Sequence, residues 1–206
     1  MRVGIVDYGM GNLLSVRSAF EALGADVAIC RAPADVLAAE RIVLPGVGAF
    51  GECMRSLASQ GLDGALRQAV RERAKPFLGI CLGMQALARK SEEAEDGPGL
   101  GLVEGDVVRL DDDAGRLRIP HMGWNEVRHR ADSPMFSGVP DGTDLYFVHS
   151  YAVRLDRDTQ VEATTTYGAP VTAALRAGCV WGTQFHPEKS QRHGLRILRN
   201  FLDWRA

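Results

Sequence analysis

Five residues, Gly79-Ile80-Cys81-Leu82-Gly83, set directly behind the apolar pair Phe77-Leu78, constrain the fold of this chain more than any other segment. An apolar run that meets a glycine-flanked corner reads as a buried strand turning sharply into a helix, with cysteine at the corner. Glycine two positions before that corner and two after it removes the β-carbons that would collide in so tight a turn.

The rest of the first half repeats this strand-to-helix rhythm. Val3–Val6 reads as a strand. Val16, Ala19, Phe20 and Leu23 then share one face of a helix that Gly24 closes. Asp26–Ile29 and Arg41–Leu44 read as further strands, and Leu62 to Arg73 as an amphipathic helix. Such alternation predicts an α/β fold, a mainly parallel central sheet flanked by helices on both faces. The second half changes character. Val103–Leu110, Leu117–Val127, Leu145–Val153, Val161–Tyr167 and Val171–Ala177 read as strands joined by short turns, an antiparallel extension of the sheet. A last helix, from about Ser190 to Trp204, returns to the parallel part. Neither a repeat nor a linker divides the chain, so one domain over 1–206 is expected. Ser91–Gly101 reads as a flexible surface loop and Asp111–Asp113 as a hairpin turn.

The cysteine corner is also where chemistry is expected. The packing matches that of the G-x-S-x-G turn of serine hydrolases, with sulfur in place of oxygen. The thiol would project from the sheet edge beside the start of a helix, whose unpaired N–H groups favour a thiolate and can hold an oxyanion. A buried, inert cysteine is the plain alternative. Far downstream, His186-Pro187-Glu188 follows the strand-like run Cys179–Phe185. Histidine and glutamate two apart on an extended chain share a side, and the proline between them ends regular pairing. The glutamate can then fix the imidazole tautomer while the other ring nitrogen meets a thiol. Together these residues make a Cys81–His186–Glu188 triad. Acyl transfer needs two donors on the oxyanion. Leu82 N–H supplies one, and Val47 N–H, between the glycines of Pro45-Gly46-Val47-Gly48, is the candidate for the other. Those glycines would let the Gly46–Val47 peptide turn toward the site on activation. Gln85, one helical turn beyond Cys81, can present its amide to a substrate on the same side.

The corner extended to Met84-Gln85, with His-Pro-Glu after Gln184-Phe185, resembles the class-I, triad-type glutamine amidotransferases. Within that family the chain is most similar to the glutaminase subunits of imidazole glycerol phosphate synthases. The likeness runs through Asp7–Asn12, Pro45–Gly48, His121-Met122-Gly123-Trp124-Asn125 and His149-Ser150-Tyr151, and ends with Lys189-Ser190-Gln191. The resemblance implies glutamine as substrate, hydrolysed to glutamate and ammonia, with no cofactor and no metal. It adds Gly48, Glu93, Ser150 and Tyr151 as substrate contacts. It also implies a heterodimer with a (β/α)8-barrel cyclase subunit that receives the ammonia, with Asn12, Trp124, Tyr146 and Lys189 at the contact.

Composition excludes other classes without pointing to this one. Twenty-four basic against 26 acidic residues give a net charge of −2, which leaves no nucleic-acid footprint. Four scattered cysteines without a C-x-x-C pair suit a reducing compartment. No long apolar span suggests a membrane, and cytoplasm is the expected location. Gly9-Met10-Gly11 lacks the third glycine of a dinucleotide loop, having Leu14 there, and Asn12 doubles as a helix N-cap. A glutaminase for a different synthase, a stand-alone γ-glutamyl hydrolase and a redox-sensing regulatory module are the competing readings.

Overall fold

The computed structural model describes residues 2–94, 97–112 and 114–205. Glu95 and Asp96 of the expected loop, and Asp113 of the expected hairpin turn, lie outside the described residues.

Four parallel strands come first: β1 (Arg2–Val6), β2 (Asp26–Cys30), β3 (Arg41–Gly46) and β4 (Phe77–Cys81). Between them run α1 (Leu13–Ala22), α2 (Pro33–Ala38), α3 (Phe50–Ser59) and α4 (Leu62–Arg71). After β4 come α5 (Leu82–Gln85), β5 (Gly105–Arg109), β6 (His121–His129), β7 (Thr143–His149) and β8 (Tyr151–Leu155). Then follow β9 (Val161–Tyr167), β10 (Ala169–Ala177), β11 (Val180–Thr183) and α6 (Gln191–Asp203).

Nine strands form one sheet in the order β2-β1-β3-β4-β11-β10-β9-β6-β7, and β5 with β8 forms a separate antiparallel pair. Pairing is parallel from β2 through β11 and antiparallel beyond it. Side chains alternate between the two faces, as the period of a strand requires. On one face Val3, Ile5, Val43 and Leu78 pack with Phe20 of α1 and Ile197, Leu198 and Phe201 of α6. On the other, Val6, Ile42, Leu44 and Phe77 pack with Val36, Leu57 and Leu66 of α2–α4. The expected helix-covered parallel sheet with an antiparallel extension is therefore present.

Several expectations need correction. Helices α2 and α3 stand in addition to the expected elements. The run Leu145–Val153 is two strands, because the chain leaves the large sheet at Ser150 and pairs with β5 instead. Residues 114–116 form a turn, and Gly115 N–H donates to Asp112 Oδ1 at 3.2 Å. The turn joins no hairpin, since β5 pairs with β8 while β6 pairs with β7 and β9. The described residues on either side of Glu95 and Asp96 are pinned as well as looped. Ser91 and Leu100 are buried, and Gly99 N–H and Leu100 N–H donate to Arg89 and Ala86 carbonyls at 2.7 Å each.

Candidate active site

Cys81 ends β4 with φ 54° and ψ −110°, a conformation that costs an L-residue about 1–3 kcal/mol and persists only where surrounding packing enforces it. The flanking glycines permit that packing. A β-carbon on Gly79 would lie 2.5 Å from the Gly83 carbonyl oxygen, and one on Gly83 would run into the Leu44 carbonyl. The helix after the corner is only Leu82–Gln85. One turn has little macrodipole, so the unpaired N–H groups of its first residues are what the corner offers an anion.

The thiol is nearly buried, 6 % exposed. It donates toward Val148 O at 3.8 Å and accepts from Gln184 Nε2 at 3.7 Å. Beside it stands His186, also buried. His186 Nδ1–H donates to Glu188 Oε1 at 2.8 Å, which leaves Nε2 as the nitrogen free to exchange a proton. Glu188 reaches the ring because Pro187–Lys189 forms a 3₁₀ turn, not through the alternation of an extended chain. The segment is clamped to β7: His186 N–H donates to Tyr146 O at 2.9 Å, Ser190 Oγ–H to His186 O at 2.7 Å, and Tyr146 N–H to Ser190 Oγ at 3.1 Å. Burial is the largest influence on the imidazole and lowers its pKa. Interaction with Cys81 and Glu188 together outweighs burial and holds it up at about 9. The Cys81 sulfur is the larger of the two raising influences and Glu188 the smaller, although among the described residues Nε2 makes no hydrogen bond within ordinary distance.

A cavity of about 350 Å³ opens onto Cys81, and Val47, Gly48, Leu82, Gln85 and Glu93 line it. Ser150 and Tyr151 line it as well, where the chain passes from β7 to β8. The oxyanion candidates meet there because Gly46 lies opposite Cys81 in the β3–β4 register. Gly46 must be glycine: a β-carbon there would lie 2.5 Å from Tyr8 Oη and 2.9 Å from Leu82 Cβ. Gln85 faces the cavity differently from expectation. Its Nε2 is committed to Tyr151 O at 2.8 Å and Gln184 Oε1 at 3.2 Å, so only its carbonyl oxygen remains for a ligand. Glu93 commits one oxygen to Phe50 N–H at the start of α3, at 2.8 Å, and keeps the other.

Three of the four candidate interface residues cluster. Trp124 and Tyr146 are opposite in the β6–β7 register and meet edge to face at 5.9 Å. Lys189 Nζ sits 5.9 Å from the Tyr146 ring centroid. Trp124 is 49 % exposed and its neighbour Met122 62 %, an apolar patch beside the clamp on His186. Asn12 stands apart from this cluster and caps α1, its Oδ1 accepting from Ser15 N–H at 3.3 Å. Its loop packs on the Pro45–Gly48 loop, where a β-carbon on Gly48 would lie 2.7 Å from Met10 Cε.

Sequence reasoning missed Pro120, Val148 and His149 of the cavity wall, and Gln184 against the thiol. Gln184 could have been found: two positions before His186 on an extended chain, it must share that residue's side.

The family model for glutamine amidotransferase class-I matches residues 4–204. Imidazole glycerol phosphate synthase subunit HisH of Moorella thermoacetica is 48% identical over 199 residues, 97% of this chain and 93% of that one. The HisH subunit of Symbiobacterium thermophilum is 49% identical over 200 residues, 97% and 92% of the two chains. That of Cereibacter sphaeroides is 45% identical over 207 residues, 98% of each. Among solved structures, a glutamine amidotransferase superposes with TM-score 0.75 at 22% identity, covering 98% of this chain and 97% of that one. PurLQS from Thermotoga maritima superposes with TM-score 0.74 at 20% identity, with the same coverage, which supports the fold alone.

Proposed function

This chain belongs to the class-I glutamine amidotransferases, and from that premise we propose that Cys81, His186 and Glu188 are its hydrolytic machinery. It is the glutaminase subunit of an imidazole glycerol phosphate synthase, in histidine biosynthesis. The whole of 1–206 serves as a single amidotransferase domain.

The observation that carries the assignment of the triad is the pinned imidazole. Glu188 holds Nδ1 at 2.8 Å, and the opposite nitrogen has no hydrogen-bond partner among the described residues and lies within the influence of a thiol on a strained corner. His186 takes the thiol proton, and the Cys81 thiolate attacks the side-chain amide carbon of glutamine. The electron pair of the carbonyl moves onto oxygen, where Leu82 N–H and Val47 N–H stabilise it. His186 returns the proton to the nitrogen, and ammonia leaves as the γ-glutamyl thioester forms. Water then gives a proton to His186, attacks the thioester, and releases glutamate and the thiol. Glu188 carries the imidazolium through both steps.

The Gln85 carbonyl oxygen and the free oxygen of Glu93 suit the α-ammonium of glutamine, and the backbone at Gly48, Ser150 and Tyr151 borders the same cavity. Ammonia passes to a (β/α)8-barrel cyclase subunit that docks on the Trp124–Tyr146–Lys189 face and on the Asn12 loop. Free ammonia would mostly protonate in water, so hydrolysis is coupled to the presence of this partner. The Gly46–Val47 peptide is the gate, turning inward when the partner is occupied.

The test is Cys81→Ala, assayed alone and with the cyclase subunit. Glutamine-dependent synthesis should vanish while ammonia-dependent synthesis persists. Loss of both would reduce Cys81 to a structural role, and vigorous glutamine turnover by the lone wild-type subunit would refute partner gating.

A further inference from the structure

Gln184 follows β11 directly and is fully buried. Its amide lies between the Cys81 sulfur, at 3.7 Å from Nε2, and Gln85 Nε2, at 3.2 Å from Oε1. The orientation of that amide is decided by its neighbours. Gln85 Nε2 has two hydrogens; one goes to the Tyr151 carbonyl at 2.8 Å, which can only accept. The other goes to Gln184, whose oxygen must therefore face Gln85 and whose nitrogen must face sulfur.

The Tyr151 carbonyl anchors a second line of bonds. It also accepts from His149 Nδ1–H at 2.9 Å, which makes His149 Nε2 the acceptor for His121 Nδ1–H at 3.0 Å. His121 Nε2 then accepts from Asn125 Nδ2 at 3.1 Å, and the same amide donates to Thr166 O at 3.0 Å. Every donor along this line has an acceptor only when both imidazoles are neutral. Burial pushes both down to about 4, so they are neutral at pH 7. The line runs from the thiol to β6, one residue from exposed Trp124.

The sulfur has two opposed polar contacts. The Val148 carbonyl accepts from the thiol and disfavours its ionisation. The Gln184 N–H donates and favours the thiolate. We infer that Gln184 is a further catalytic residue, the side-chain donor that stabilises the Cys81 thiolate, and that Gln85, His149, His121 and Asn125 are positioning residues that hold its amide toward sulfur. The inference rests on Cys81 being the nucleophile.

The experiment follows Cys81 alkylation by iodoacetamide against pH in the full chain. The labelled peptide is read by mass spectrometry, because Cys30, Cys53 and Cys179 are also free. Gln184→Met keeps the bulk and loses the donor; Gln184→Glu keeps the shape and places an acceptor against sulfur. The alkylation midpoint should rise by about one pH unit in the first and further in the second. With the cyclase subunit, glutamine-dependent kcat should fall about tenfold at little change in KM, while ammonia-dependent synthesis stays intact and reports correct folding. Asn125→Leu, remote from sulfur, should raise the midpoint in the same direction by a smaller step. Midpoints that match wild type in both Gln184 variants, with Cys81→Ala still inactive on glutamine, would overturn this inference alone. Glutamine turnover surviving in Cys81→Ala would remove the assignment beneath it.

Discussion

Glu188→Gln isolates the charge of the triad carboxylate from its shape. Glu188 Oε1 and His186 Nδ1 are 2.8 Å apart with side chains 1 % and 3 % exposed, so salt and water screen the pair little. A glutamine oxygen still accepts the Nδ1–H, and only the charge-assisted part of the bond is lost. Hydrogen bonds to charged groups contribute about 1.5–3 kcal/mol against about 0.5–1.5 for neutral ones, a loss of about 1–1.5 kcal/mol where the imidazolium is fully formed. At 1.36 kcal/mol per factor of ten, glutamine-dependent kcat should fall about 5–13-fold, with KM for glutamine nearly unchanged. The same contact contributes, after Cys81, to a stability signature. The folded pKa of His186 is raised from 6.5 to about 9, so the folded state binds the extra proton between those values. That stabilisation is complete below about pH 6.5 and is lost as pH rises through about 9. The stability gap between wild type and variant should therefore narrow from pH 6.5 to pH 9.5, above any constant offset from the buried amide. Glutamate release by the assembled synthase and urea unfolding at the two pH values measure both effects. A kcat within twofold of wild type, or a gap that widens with pH, would refute the reasoning.

Gly83→Ala forces a β-carbon into the Leu44 carbonyl, a backbone atom that cannot move aside. Such overpacking should cost about 3 kcal/mol or more and lower Tm by ~6–12 °C, read by calorimetry; an unchanged Tm would show that the corner can relax. Gly46→Ala presses on Tyr8 Oη and on Leu82, and should cut glutamine-dependent kcat more than KM while leaving ammonia-dependent synthesis intact. Equal loss of both activities would place the damage elsewhere. His121 and His149, held neutral down to about pH 4, bind fewer protons folded than unfolded between about 4 and 6.5. Stability should therefore fall as pH drops from 6.5 to 5, and a urea midpoint that stays flat over that window would contradict the neutral pair. Trp124→Ala should weaken association with the cyclase subunit by isothermal titration while leaving the fold unchanged by circular dichroism; equal affinity would move the docking face elsewhere.

What the sequence disclosed follows from how local each signal is. The corner at Cys81 was legible because glycines and an apolar run encode it within a few residues. The parallel half was legible because β1, α1, β2, β3 and β4 each show their own period. Helix α3 was not seen. Its buried face, Phe50, Cys53, Met54 and Leu57, begins after Ala49, which makes no side-chain cap, so no local start signal marks the helix. The break at Ser150 was invisible because β7 and β8 are both strands, and only tertiary pairing separates them. Trp124 and Tyr146 are interface candidates through the family resemblance, and their contact depends on a strand register that no local pattern fixes. The Gln85–Gln184 bond escaped for the same reason: two amides far apart in sequence meet only once β11 has docked.

That docking has a consequence for synthesis of the protein. β11 is the last strand made, yet it enters the middle of the sheet, between β4 and β10, with Thr183 beside Ile80. On the proposed roles of Cys81 and His186, a nascent chain lacks the base and acid of the reaction until the segment that follows β11 has been made. On that reading, copies cut short before β11 should release no ammonia from glutamine.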